Sequence, residues 1–437
     1  MLEENAQAAG RSRGTLENSA TASNDLKSNF GRRGWTMIVF SGLLFWINTG
    51  TTVDGLNVIL GALSSTFKLD YNSMLAWATP ATLFSIPAAP VFAWISQKYG
   101  AKIAILIGLA ITAVCFGFLG VWGTMLGFFV LFSAVCFCAT GYAHIGGNAM
   151  IASWFPRKKG LALGWSTMGQ NFSTALFVPV MAWFLSSLGT EHAFWGISAI
   201  ILVLMLLIGS FARNTPEEAG VAPDNDPMTA EQIVESARQH REYVCPFSTR
   251  QMLAMKDVWL VGFAYGALYM VTVGLVSQLV PRLMAIGYDL NTAISYLTIA
   301  ALVGVIGSYA WGWLDQKIGT RNASLVYSFW YIAALILNVF ELNEITLWIS
   351  VFMIGFGIGG CGNLATSIVA TKFHRGTFIK AWGIINPIQS IVRSFAFAVL
   401  AFGLTYLGGY SGAYSIYIVI NLIAAIMIWR LDNKKIG

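Results

Sequence analysis

Four polar side chains within one apolar stretch near the C-terminus pose the first chemical question. Trp382, Asn386, Gln389 and Arg393 recur at spacings of four, three and four, the period that lines one face of an α-helix. Facing lipid, such a stripe would be very unfavourable, since a charge at the centre of a bilayer costs about 2.5–3.5 kcal/mol on insertion scales. It therefore faces a cavity or another helix. A planar guanidinium donates two parallel hydrogen bonds to a carboxylate. Arg393 thus suits an anionic ligand, and a static packing network is the bland reading beside it.

Asp54 is the one acid well inside an apolar run, with Asn57 three residues later. At 1.5 Å per residue, Asp54 and Arg393 lie roughly 28 and 23 Å along their runs, at comparable depth. Three roles stay open for Asp54: a proton-coupling site, the counter-ion of Arg393, or a packing residue between Gly50 and Gly55. His144 and Asn148 lie one turn apart, and Asn363 precedes Thr366 by three. With Tyr265, Tyr269, Ser166, Gln170 and Thr174 they complete the candidates for a substrate cavity, each weighed against plain helix packing.

These positions require long apolar helices to hold them. The 437 residues are 56% hydrophobic and 11% charged, with a mean hydropathy of +0.66, whereas soluble domains carry about 25% charged residues. Twelve runs reach the ~20 residues that a bilayer crossing needs: 35–63, 73–96, 102–122, 124–152, 160–186, 192–212, 257–284, 291–314, 321–341, 344–371, 378–407 and 411–430. Of the 26 Lys and Arg, all but Lys68, Arg282 and Arg393 fall on the side of the N-terminus. The positive-inside rule then places both termini in the cytoplasm of a cell-membrane protein. The net charge of +6 reflects those loops, not a nucleic-acid surface.

The runs divide the chain into a polar tail expected to be disordered (1–34), a first six-helix bundle (35–212), a cytoplasmic linker (213–256) and a second bundle (257–432). Within the linker, Thr229 with Gln232 and Ser248 with Gln251 fit capping boxes. The five cysteines show no CxxC pair or metal-ligand spacing, so no metal, disulfide or cofactor is expected. Gly357-Ile358-Gly359-Gly360-Cys361-Gly362 matches GxGxxG but follows no strand. Gly355 and Gly359 instead give the small-xxx-small spacing of close helix packing. No nucleophile–base pattern suggests an enzyme.

An internal repeat runs through the chain. Ala93-Trp94-Ile95-Ser96-Gln97-Lys98-Tyr99-Gly100-Ala101-Lys102 aligns with Gly312-Trp313-Leu314-Asp315-Gln316-Lys317-Ile318-Gly319-Thr320-Arg321 at an offset of 219, which also carries Gly164 to Gly383 and Gln170 to Gln389. The second copy resembles the loop signature of the major facilitator superfamily, and the first departs from it at Ser96. Trp154-Phe155-Pro156-Arg157-Lys158-Lys159-Gly160 and Thr215-Pro216-Glu217-Glu218-Ala219-Gly220 resemble the oxalate/formate antiporter and monocarboxylate transporter branch. Over about residues 35–430, the resemblance implies an all-α membrane protein with twelve transmembrane helices in two pseudo-symmetric six-helix bundles. It implies a secondary transporter that moves a small organic anion by alternating access, proton-coupled or by exchange, and is expected to be monomeric. Asp315, Lys317 and Arg321 would then gate the cytoplasmic side. A neutral or cationic substrate bound at Asp54 is the alternative, and a non-transporting membrane sensor is a distant one.

Overall fold

Long apolar runs fold as helices because the bilayer offers backbone N–H and C=O groups no other partner. The computed structural model describes residues 25–340, 343–432 and 434–436. Most of the expected disordered tail, residues 1–24, lies outside the described residues, and helix already begins at Gly31. Span 1 comprises Gly31–Thr49, a π-helical turn Gly50–Asp54 and Leu56–Phe67. Span 2 is Tyr71–Leu83 with Ser85–Tyr99, and span 3 is Ala101–Leu119. Span 4 comprises Met125–Ala139, the π-helical Thr140–Gly147 and Asn148–Trp154. Span 5 begins as Lys159–Phe172, passes a π turn at Ser173–Phe177 and runs into Val178–Phe211. That helix breaks at Gly189 (φ 76°, ψ 170°) and folds back as span 6, which brings Gly196 against Phe184.

The second half repeats the plan. Span 7 is Lys256–Ser277 with Leu279–Ala285, span 8 is Leu290–Ile318 and span 9 is Thr320–Phe340. Span 10 is Glu344–Ile358 with Gly360–Lys372, span 11 is Phe378–Ser394 with Ala396–Tyr406, and span 12 is Tyr410–Trp429. Among the described residues, ten continuous helical stretches are long and apolar enough to cross a membrane. The other two crossings are span 2, interrupted at Phe84, and the second leg of the helix broken at Gly189. An even number of crossings puts both ends of the chain on one side of the bundle, the terminal face. In the linker, Ala230–Glu242 and Thr249–Ala254 are each opened by the reciprocal capping box read from sequence.

The repeat holds in three dimensions. Gly100 (φ 91°, ψ 154°) and Gly319 (φ 82°, ψ 150°) turn spans 2 and 8 into their successors with the same backbone geometry, in a region that side chains disfavour. Lys98 lies 5.2 Å from the Trp94 ring centroid, and Lys317 lies 4.6 Å from that of Trp313. The halves meet at two crossings related by the same offset. Gly164 of span 5 packs on Ser308 and Gly312 of span 8, and Gly383 of span 11 packs on Ala93 of span 2. Gly359, from the misleading GxGxxG, lets span 10 approach span 8 so closely that a Cβ there would stand 2.5 Å from the Ser308 nitrogen.

Polar contacts seal the terminal half of this interface. Asn148 Nδ2 donates to Thr366 Oγ1 at 3.1 Å, and Gln316 Nε2 to the Arg157 carbonyl at 2.8 Å. Thr167 bonds Asn363, whose Nδ2 donates to the Ser308 carbonyl at 2.7 Å. Asn171 Nδ2 reaches Ser308 Oγ and the Gly304 carbonyl, both at 3.0 Å. The linker is anchored alongside. Asp224, 2% exposed, accepts from the backbone N–H of Lys158 at 2.8 Å, and its burial pushes the carboxyl up to about 6 against that bond.

Glu217 ties the linker across both halves. It accepts from Arg375 at 2.8 and 2.9 Å and from Ser236 at 2.9 Å, while Arg375 also reaches Ser153 Oγ at 3.3 Å. Burial alone would raise the Glu217 carboxyl, but the Arg375 guanidinium outweighs it and holds the group at about 2. A depressed carboxylate stabilises the fold fully above its ordinary value of 4.5 and loses that contribution only as pH falls through about 2. Glu217→Gln leaves Arg375 buried without its counter-charge and is expected to lower stability by on the order of 3 kcal/mol. The gap in melting temperature between the two proteins should stay constant from pH 8 to pH 5. A gap that closes over that range would contradict this assignment.

Candidate functional site

Above the seal, the two halves leave a cavity of about 150 Å³ at mid-depth. Its lining comes where the helices are irregular. Span 1 gives Asn48 and, from its π turn, Thr52 and Val53. Span 2 gives Thr82 and Ser85, on either side of its break at Phe84. Span 4 gives Cys136 and, from its π segment, Thr140 and His144. Span 7 gives Tyr269, and span 11 gives Asn386, Gln389, Ser390 and Arg393 around Pro387 and just before its break at Phe395. Interrupted backbone at membrane depth is tolerated where it lines a cavity, and π turns recur at functional sites. Val53, 61% exposed, also lines the cavity.

The site's polarity has a clear sense. The Arg393 guanidinium lies over the Tyr269 ring, 5.7 Å from its centroid. Gln389 is 2% exposed, and neither its Oε1 nor its Nε2 has a partner among the described residues. Buried carboxamides are rarely left so, because each missing bond costs about 1–3 kcal/mol. Asn48 Nδ2 stands 3.4 Å from His144 Nε2. The Trp382 indole donates to the His144 carbonyl at 2.8 Å, fixing span 4 against span 11. Among the described residues, the cavity lining thus offers one cation, an array of neutral donors and no carboxylate.

The structure sorts the expected residues. Arg393, Gln389, Asn386, Tyr269 and His144 meet in the cavity. Tyr265 does not: it is fully buried in the second bundle, bonded to Ser324 Oγ at 2.6 Å, because its position turns it toward span 9. Asn148 and Asn363 belong to the seal. Gln170 lies below the cavity, its Oε1 4.0 Å from a Cβ built on Gly362. Asp54, at the end of the span 1 π turn, is not part of the lining.

The expected gate residues also separate. Asp315, 4% exposed, faces the Gly160 backbone at the seal, where a Cβ would stand 2.6 Å from its Oδ2. Lys317 is exposed and stacked on Trp313 of its own helix. Arg321 donates to the carbonyls of Ile428 and Trp429, capping the C-terminus of span 12, where a cation is favoured by the helix dipole. Neither cation crosses between the halves. The sequence reading missed Asn48, Thr52, Thr82, Ser85, Thr140 and Ser390. Pro80, Pro90 and Pro387 were the available signal, marking where helices break and turn polar groups inward.

Two repeat-related bundles, a mid-depth polar cavity and a seal on one face are the arrangement of a multi-pass membrane transporter. Residues 35–397 match the Major Facilitator Superfamily, and the chain belongs to that family. It is similar to the oxalate:formate antiporter of Oxalobacter formigenes, at 24% identity over 313 residues, covering 70% of this chain and 66% of that protein. The match therefore spans just under two thirds of that relative's length. Monocarboxylate transporter 13 of Bos taurus is 22% identical over 315 residues, covering 69% of this chain and 67% of the relative. Among solved structures, a proton:xylose symporter bound to 6-bromo-6-deoxy-D-glucose superposes with a TM-score of 0.73 at 12% identity, covering 96% of this chain and 98% of that one. At that identity the likeness speaks for the fold alone.

Proposed function

We propose that the protein moves a small organic anion, a mono- or dicarboxylate, across the cell membrane by alternating access. The observation behind this reading is that Arg393 is the single fixed charge among the described residues lining the cavity. A volume of about 150 Å³ corresponds to roughly five waters of liquid, which suits a ligand of a few heavy atoms. The names of the antiporter and the monocarboxylate transporter agree in kind. The moving bodies in this reading are 35–212 and 257–432, joined by 213–256, with Asp315 helping to close the inner face. Thermal-shift measurements test it, because a ligand of the folded state raises apparent stability, by about 2.7 kcal/mol at a hundredfold excess over Kd. Formate, L-lactate or oxalate should stabilise the purified protein while xylose and choline do not; stabilisation by choline or xylose alone would overturn the reading.

Orientation belongs to the same proposal. With the terminal face in the cytoplasm, the sealed side is the inner one and the cavity opens outward. Single cysteines placed in 66–70, 187–190 and 286–289 should then react with an impermeant maleimide on intact cells, and those at 157–159 should not. Labelling of 157–159 from outside would reverse the topology.

A further inference from the structure

Resting on the assignment of Arg393 as the carboxylate contact, we infer that His144 is the proton site of this transporter, taking up a proton when a carboxylate docks and releasing it when the carboxylate leaves. The geometry places both groups on one cavity of about 150 Å³, on spans 4 and 11 that belong to opposite halves. His144 is held for the task without its ring being consumed. The Trp382 indole grips its backbone carbonyl, Phe45 packs edge-on with centroids 5.4 Å apart, and the ring's hydrogen-bond contact is Asn48 Nδ2 at 3.4 Å. With the Asn48 amide donating to Nε2, the neutral ring carries its proton on Nδ1. A second proton enters at Nε2, and Asn48 answers by turning its amide oxygen to accept. Histidine is the side chain whose unperturbed charge change falls between pH 5 and 8.

The surrounding charges set the sign. Arg393 of span 11 is the charged neighbour, Tyr269 of span 7 and Cys136 of span 4 share the lining, and Asp54 of span 1 stands outside it. Spans 2 and 3 bring no acid or base to that depth among the described residues. An empty cavity therefore sets Arg393 against any charge on His144. A carboxylate on Arg393 cancels that repulsion and adds an attraction. Proton and anion then bind with positive coupling, and by linkage each raises the affinity for the other equally. The loaded site carries Arg393⁺, carboxylate⁻ and His144⁺, so one proton from the open side travels with one anion. Span 4 and span 11 separate when the seal opens, which ties release of the pair to the same movement. Asp54, the other proton candidate, lacks this shared cavity.

The test uses full-length protein in proteoliposomes with radiolabelled formate and L-lactate as probes. For the wild type, affinity should fall by about 5–150-fold, the usual range of site–site coupling, as pH rises from 5.5 to 8, with close to one proton taken up per anion bound. At whatever affinity it retains, His144→Gln should show a flat pH profile and no proton uptake on anion binding. Retention of the wild-type profile by His144→Gln would overturn the His144 assignment while leaving the anion reading intact. Failure of the wild type to bind either probe or oxalate would remove both together. Should His144→Gln not fold, the wild-type His144 ring resonances serve instead: their titration midpoint must rise when L-lactate is added, and an unchanged midpoint overturns the proposal.

Discussion

Arg393→Gln is expected to bind formate, L-lactate and oxalate about tenfold to a hundredfold more weakly than the wild type, with little change in melting temperature. The size reflects the loss of at least one charge-assisted hydrogen bond, worth about 1.5–3 kcal/mol. The effect on stability is small because Arg393 makes no ion pair among the described residues and contacts Tyr269 through its ring face. Arg393→Lys should fall between the two, since it keeps the charge and loses the fork that grips both carboxylate oxygens. Equilibrium binding and melting curves on the three proteins separate a ligand contact from a packing residue. A purely structural arginine would show the reverse pattern, with lost stability and unchanged affinity.

The second large effect belongs to the seal. A Cβ on Gly312 would collide with the Gly160 carbonyl and stand 2.9 Å from the Gly164 Cα. Both neighbours are backbone and cannot turn aside. Gly312→Val should therefore disfavour the closed terminal face by about 1–3 kcal/mol, the usual cost of overpacking, and shift the population toward a conformer open on that face. Net transport should fall at least about fivefold, since a population shift of that energy spans roughly 5–150-fold. A cysteine introduced as Thr366→Cys, within the seal and 2% exposed as threonine, should become reactive from the terminal side only in the Gly312→Val background. Unchanged reactivity with normal transport would show that the crossing has room the structure does not indicate.

The helical plan could be read from the sequence because apolar runs of bilayer length admit few alternatives. The repeat was legible because its polar and glycine positions perform the same local task twice. Gly100 and Gly319 share one left-handed turn, and the offset that links Gly164 to Gly383 also links their partners Gly312 and Ala93. The stripe on span 11 was legible for a related reason: Phe378–Ser394 is helical throughout, so a 3.6-residue period predicts correctly which residues share a face.

The hidden part of the site lies beyond helix irregularities. The π turns at Gly50–Asp54 and Thr140–Gly147 each insert backbone that rotates the next stretch of helix to a new facing. Periodicity counted through them passes over Thr52 and Thr140. Asn148 and Asn363 were selected for being polar at depth, which they are. Depth alone does not distinguish a residue that lines a cavity from one that bonds across a closed interface, because that depends on which conformer is present. Tyr265 and Tyr269 are one turn apart on a regular helix, yet one bonds Ser324 and the other faces the cavity. Only the packing of span 9 decides between them.

The most direct test of the central claim is uptake by proteoliposomes reconstituted with the wild type or Arg393→Gln, offered labelled formate, L-lactate and oxalate alongside labelled xylose and choline. The wild type should accumulate at least one of the three carboxylates and neither neutral nor cationic probe, and Arg393→Gln should take up that carboxylate at least about tenfold more slowly at sub-saturating concentration. Undiminished carboxylate uptake by a well-folded Arg393→Gln protein, or selective uptake of choline or xylose by the wild type, would contradict an anion site built on Arg393.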